Sequence, residues 1–204
     1  MVPYVFVAFY TLDTRYEAEA SRLKRSLDKL GIDHDVRGVP DLGSWQANTL
    51  YTATFIRDMM RVYDSTPIVY VDADAVVWSR PDLFDDMPGK WDMAIHYRKG
   101  VELLNGTIWI APTPDARAIV AAWIKANGAN DGRWDQKNLQ DVLAMRKSGR
   151  VEMLPASYCM IFDIMHDDDT PPVIEHLQAS RVCNETPGST YRLAREARLQ
   201  ELGE

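Results

Sequence analysis

The chain has 204 residues, 23 basic and 30 acidic, with a formal net charge of -7. At 46% hydrophobic and 26% charged it has a folded globule's composition, enough to bury about 70% of its unfolded-chain surface. Intrinsic disorder is excluded, and no run reaches the ~20 apolar residues of a membrane span; two cysteines, Cys159 and Cys183, cannot build a disulfide framework, and the acidic balance disfavours a partner held by bulk positive charge.

Residues 4–9 are an unbroken apolar run, expected as a first strand covered on both faces. The run has no basic leader and no cleavage site, so it reads as a strand rather than a signal peptide, and a cytoplasmic location is expected. Tyr16, Ala20, Leu23, Leu27 and Leu30 then recur at helical spacing, with Thr14 and Glu17 as a capping box and Gly31 as the stop. A second strand is predicted over 34–39, a helix over about 48–63 and an apolar strand over 68–71 that runs into Asp72-Ala73-Asp74. Strand–helix–strand–helix–strand implies right-handed crossovers and a doubly wound sheet. Further on, strands are predicted over 93–97, 107–110, 151–154, 158–164 and 173–176, and helices over 114–127 and 135–147. Ser189 is expected to cap a charged terminal helix. The sequons Asn105-Gly106-Thr107 and Asn184-Glu185-Thr186 carry no weight without a secretory signal.

Asp-x-Asp is a weak motif as a string. The chain has 21 aspartates, chance alone gives about two such triplets, and three occur: Asp33/Asp35, Asp72/Asp74 and Asp167/Asp169. Position separates them. The first opens a polar strand edge and the third lies in a hydrated loop, both ordinary structural settings. Asp72/Asp74 follows a buried strand directly, and open α/β sheets bind ligands beyond their strands' carboxyl ends. Two carboxylates there repel unless a cation compensates, and their hard oxygens suit Mn²⁺ or Mg²⁺ bridging to phosphate. A metal-dependent phosphohydrolase built on Asp72/Asp74 fits this pair as well, and so does a non-catalytic nucleotide-sugar binding module. A phosphatase of that kind usually carries the motif on its first strand, whereas here two strand–helix units precede it.

Six segments in order carry a more specific resemblance: Trp45-Gln46-Ala47-Asn48-Thr49 with Phe55-Ile56-Arg57; Val71-Asp72-Ala73-Asp74 with Arg80-Pro81-Asp82-Leu83-Phe84; Leu104-Asn105-Gly106-Thr107; Asp135-Gln136; Leu154-Pro155-Ala156-Ser157-Tyr158; and a late histidine, His176. Together they resemble the GT-A nucleotide-diphospho-sugar transferases of the glycogenin and lipopolysaccharide galactosyltransferase group. The resemblance implies a single Rossmann-like GT-A domain with a mixed, mostly parallel sheet flanked by helices. Its nucleotide-binding half would span about 1–75, its acceptor-side half about 76–185 and its terminal helix about 189–202.

The resemblance also implies roles. The chain would be a retaining glycosyltransferase that takes its sugar from a nucleoside diphosphate, expected to be UDP. Asp72, Asp74 and His176 would ligate Mn²⁺ or Mg²⁺, with Asp72 also reaching the donor. Tyr10, Thr11 and Trp45 would meet the nucleotide, Arg57 the phosphates, and His96, Asn105 and Gly106 the sugar. Related enzymes continue from the histidine to a Gly and a Lys that hold the diphosphate; here Ala179 and Val182 stand there, so Gln178, Ser180 and above all Arg181 are expected to replace them. Asp135 and Gln136 would lie beneath the anomeric carbon, although Asp135 is equally placed to cap a helix. The loop 165–172 would border the acceptor, which could be a glycan, a protein, a lipid or a modified nucleic-acid base.

Overall fold

The computed structural model describes residues 4–129, 132–165, 169–183 and 188–203. The first apolar run forms β1 (Val5–Thr11). Its side chains alternate: Val7 joins one core cluster, while Tyr4, Phe6 and Ala8 join the other on the opposite face. That two-sided burial is why the run carries no polar alternation. The amphipathic segment forms α1 (Tyr16–Leu30), which buries Ala20, Leu23 and Leu27. It ends at Gly31, whose φ of 63° is the left-handed conformation that favours glycine.

The start of α1 departs from the expected capping box. Thr14 Oγ1 donates to the Thr11 carbonyl at 2.7 Å, and the Glu17 carboxylate accepts the N–H of Asp13 at 2.8 Å instead of that of Thr14. After β2 (His34–Val39), the expected single helix is two, α2 (Trp45–Leu50) and α3 (Thr52–Val62), meeting at Tyr51. It begins three residues earlier than predicted because Ser44 caps it, its hydroxyl accepting the Ala47 N–H at 3.1 Å.

Next come β3 (Ile68–Val71), wholly buried, β4 (Ala75–Val77), β5 (Met93–Arg98) and β6 (Glu102–Ile110). Helices α4 (Pro114–Gly128) and α5 (Asp135–Met145) follow, then β7 (Val151–Met153), β8 (Met160–Ile161), β9 (Ile174–His176) and α6 (Thr190–Glu201), capped by Ser189 as expected. The strand predicted over 158–164 shrinks to β8. Ala156–Tyr158 is a turn of 3₁₀ helix, and the N–H groups of Ile164 and Met165 fold back onto the Ile161 carbonyl.

The main sheet has six strands in the order β2-β1-β3-β6-β5-β7, and β4-β9-β8 form a second, smaller sheet. β1 is parallel to β2 and β3, and β5 to β7, while β6 runs antiparallel to both of its neighbours. One core packs α3, α4 and α5 on one face of the main sheet, with Trp123 fully buried; α1 and Trp109 belong to the core on the other. Phe162 and Leu177 pack under Tyr191 and Leu199 of α6 and Leu202 just after it. Among the described residues no helix is long and apolar enough to cross a membrane. Asp167, the second sequon and residues 166–168 of the expected acceptor loop lie outside the described residues. Cys159 is free and buried.

Candidate active site

Because β1, β2 and β3 are parallel, their carboxyl ends open on one edge of the sheet, where such sheets receive ligands. Asp72-Ala73-Asp74 is the turn between β3 and β4 on that edge. A cavity of ≈ 150 Å³ lies there, lined by the expected Tyr10, Thr11, Trp45, Asp72, Asp74 and Ser180. Phe9, Tyr16, Asn48, Thr49, Thr52 and Tyr70 also line it, unforeseen from sequence as contacts. Tyr70 donates its hydroxyl to Asp72 Oδ1 at 2.9 Å. That contact was legible in principle, since residues two apart on a strand share a face.

A bulge completes the site. β5 and β6 lose register between Ile95 and His96, and β6 turns its bulged stretch toward β3, where the Gly106 carbonyl accepts the Asp72 N–H at 2.9 Å. Asn105 and Gly106 therefore lie within β6 and not in a turn between strands. A Cβ at Gly106 would sit 3.0 Å from His176 Cε1 and 3.2 Å from both His176 Nδ1 and Asp72 Oδ2, so only a glycine leaves this space clear. From the next position, Thr107 Oγ1 pairs with His176 Nε2 at 2.8 Å.

Asp72, Asp74 and His176 each offer one ligand atom within 4.8 Å of the others. Asp74 Oδ2 accepts the Ala179 N–H at 2.7 Å, while Asp74 Oδ1 and His176 Nδ1 are buried, 3.8 Å apart, and have no hydrogen-bond partner. Buried polar atoms are almost always satisfied, so two orphans that face each other beside a second carboxylate fit a divalent cation. With Nε2–H donated to Thr107, His176 presents the Nδ1 lone pair to that position.

The electrostatics agree. Desolvation, then the charge of Asp74, lifts the Asp72 carboxyl to about 7. Burial would also raise Asp74, but His176 beside it outweighs this and holds its carboxyl low. Burial opposes charge on His176, yet Cys159 and Asp74 raise it well above the usual imidazole value.

The remaining expected residues fall into two groups. Asn105 Nδ2 donates to Asp135 Oδ2 at 2.7 Å, which ties the bulge to the start of α5, where Gln136 follows. Ala179 N–H binds Asp74, and Gln178 just before it adopts φ 51°. Arg57 is paired with Asp58, its side chain half-exposed and outside the cavity wall. His96 is buried with Nδ1 against the Leu154 carbonyl at 2.8 Å. Arg181 pairs with Asp163 at 2.7 Å, so a diphosphate would have to compete with that carboxylate for it.

Asp135 carries its own test. Desolvation raises its pKa from 3.8 to about 6. The folded chain thus binds this proton more tightly than the unfolded one, so the associated stability is full below about pH 4 and is lost as pH rises through about 6. Asp135→Asn is expected to leave stability unchanged at pH 4 and to raise it by about 1–3 kcal/mol at pH 8 in urea denaturation. Asn105 can keep its bond by flipping its amide. Equal effects at both pH values would show that the carboxyl is ionised without cost.

These strands, this crossover and this acidic edge make a GT-A fold. Among solved structures, a glycosyltransferase involved in glycosylation of the major capsid of PBCV-1 aligns at a TM-score of 0.73 and 12% identity, covering 96% of this chain and 98% of that one. The glycosyltransferase GlyE of Streptococcus pneumoniae TIGR4 aligns at 0.65 and 13% identity, covering 96% of this chain and 60% of that one. The galactosyltransferase LgtC, solved with donor and acceptor sugar analogues, aligns at 0.53 and 10% identity over 95% of each chain. At these identities the likeness is one of fold. No family model matches the sequence, and no curated protein matches it.

Proposed function

We propose that this chain is a divalent-metal-dependent glycosyltransferase that uses a nucleoside-diphosphate sugar, UDP-linked, with retention at the anomeric carbon. The observation that carries the reading is the facing pair of unpartnered buried atoms, Asp74 Oδ1 and His176 Nδ1, beside Asp72 at the edge of a cavity in a GT-A frame. Asp72, Asp74 and His176 would hold Mn²⁺ or Mg²⁺, and the single imidazole makes Mn²⁺ the better match. When bound, the ion supplies Lewis-acid stabilisation to the departing diphosphate.

The chain's own residues do the rest. Tyr10, Thr11 and Trp45 line the cavity that would take the nucleotide, with Ser180 on the wall beside Asp74. Asn105, anchored by Asp135, stands one residue before Gly106, whose missing Cβ leaves room for His176 and Asp72. The anomeric C–O bond breaks with its electron pair on the diphosphate, and the acceptor hydroxyl, passing its proton to the departing diphosphate oxygen, bonds through its oxygen to the same carbon from the same face. The Gln136 amide is too weak a nucleophile to form a covalent glycosyl intermediate, so its role is to stabilise the positive charge that develops on the sugar.

The test is a thermal-shift and hydrolysis panel of nucleotides and nucleotide sugars with and without Mn²⁺. UDP and one UDP-sugar should stabilise the chain only with Mn²⁺, by about 2.7 kcal/mol at a hundredfold excess over Kd. Turnover of p-nitrophenyl phosphate without any nucleotide response would instead make the protein a phosphohydrolase.

A further inference from the structure

The two exposed tryptophans face the question of the acceptor. Trp45 and Trp134 are 47% and 63% exposed, and they are the only exposed aromatic residues among those described. They also touch, with ring centroids 5.5 Å apart and planes at 77°. Exposed indoles are costly because each leaves a large apolar face in water. Here the two are paired edge-to-face, so each limits the other's rotation and the exposed faces are presented in a set orientation. Their place is equally specific. Trp45 lines the cavity that holds Asp72 and Asp74. Trp134 immediately precedes Asp135 and Gln136 at the start of α5, and Asp135 is tied to Asn105 of the bulge. The pair thus bridges the donor cavity and the first turn of α5.

We propose that Trp134, buttressed by Trp45, is the stacking platform for a neutral carbohydrate acceptor. This rests on the glycosyltransferase reading and adds the acceptor's chemical class to it. One face of a pyranose ring is a patch of C–H bonds, which fits the negative face of an indole, while its hydroxyls stay in water or reach polar groups nearby. Charge argues against a nucleic acid. The cations flanking Trp134, Arg133 and Lys137, both pair with Asp141 at 2.9 and 2.7 Å, and the neighbouring site is built from Asp72, Asp74 and Asp135. A polyanion would meet carboxylates and engaged cations, whereas a neutral glycan has no such penalty.

The experiment uses the full chain and ligand-observed saturation-transfer NMR with maltotetraose, cellotetraose, chitotetraose, laminaritetraose and a single-stranded DNA dodecamer. At least one tetrasaccharide should bind wild type saturably. Its Kd should weaken about tenfold in Trp134→Ala and stay within about threefold in Trp134→Phe, which keeps a stacking face. Binding of UDP with Mn²⁺ should weaken less than saccharide binding does, since Trp134 reaches the nucleotide only through Trp45, and an equal loss of both would make Trp134 a support for Trp45 and overturn the platform. No saturable tetrasaccharide binding, equal binding by Trp134→Ala, or Trp134-dependent binding of the dodecamer in place of the sugars would each overturn the proposal. UDP binding to wild type is read separately. Its loss would remove the donor reading, and the saccharide titrations would still judge the platform.

Discussion

Asp74→Asn is expected to weaken Mn²⁺ binding by at least about a hundredfold and to abolish metal-dependent stabilisation by UDP, with the fold retained. First-sphere ligands contribute more than the 10–100-fold typical of the outer-shell partners around a metal. Asparagine is the informative replacement. Asp74 is buried, only 8% exposed, so it is not the open strand-end residue that its place after a strand suggests. Its Oδ2 satisfies the Ala179 N–H, and an amide oxygen can keep that bond whereas alanine would orphan it. Removing the charge also eases the burden on Asp72, whose carboxyl sits at about 7 partly because of Asp74. It also strips His176 of the carboxylate that it holds in the ionised form, so the apo variant should keep the fold but be somewhat less stable than wild type at neutral pH. Isothermal calorimetry with Mn²⁺, then with UDP in its presence, reads the outcome. Wild-type Mn²⁺ affinity in Asp74→Asn would remove the metal assignment, and His176→Ala should fail in the same way as Asp74→Asn.

The second large effect lies away from the cavity. Glu175 is fully buried next to His176, and its Oε2 accepts from Trp78 Nε1 at 2.8 Å and from Arg198 Nε and Nη2 at 3.0 and 2.9 Å. Arg198 also lies 4.4 Å over the Trp78 ring, so it links α6 to β9 and to the residue that follows β4. Arg198→Ala strands the Glu175 carboxylate in the core, and breaking one side of a buried pair costs about 3–5 kcal/mol. Since the Arg198 side chain is 19% exposed, the lower end of that range is expected. Urea denaturation should show this loss with an unchanged slope, and Glu175→Gln in the same chain should recover much of it. The single variant should also lose Mn²⁺ affinity, because β9 carries His176. A stable Arg198→Ala with normal metal binding would mean that α6 is only a cover.

Much of this protein is legible one residue at a time. The two-sided burial of β1 and β3, the stripe of α1, the stop at Gly31 and the cap at Ser189 are local facts of spacing and side-chain chemistry. So is the choice among three Asp-x-Asp triplets, because a carboxylate pair directly after a fully apolar strand can only sit on that strand's carboxyl edge. The order of motifs was enough to suggest the GT-A frame. Contacts between distant segments were not legible. His176 was expected beside Asp74 only through the order of motifs, not from any residue near Asp74, and nothing announced the Ala179 N–H; both arrive on β9 and the turn after it once β4 and β9 pair. The bulge that turns Asn105-Gly106-Thr107 toward β3 depends on the register of β5 against β6, which the composition of neither strand encodes. Arg57 and Arg181 had the right charge for phosphate, but Arg57 pairs with its sequence neighbour Asp58, and folding brings Asp163 to Arg181. Trp45 and Trp134, 89 positions apart, meet only because α2 and α5 converge at one edge of the sheet. Local sequence sets which elements form, through propensity and apolar period; burial and pairing across the sheet set which side chains share a site, since those energies depend on residues far apart in the chain.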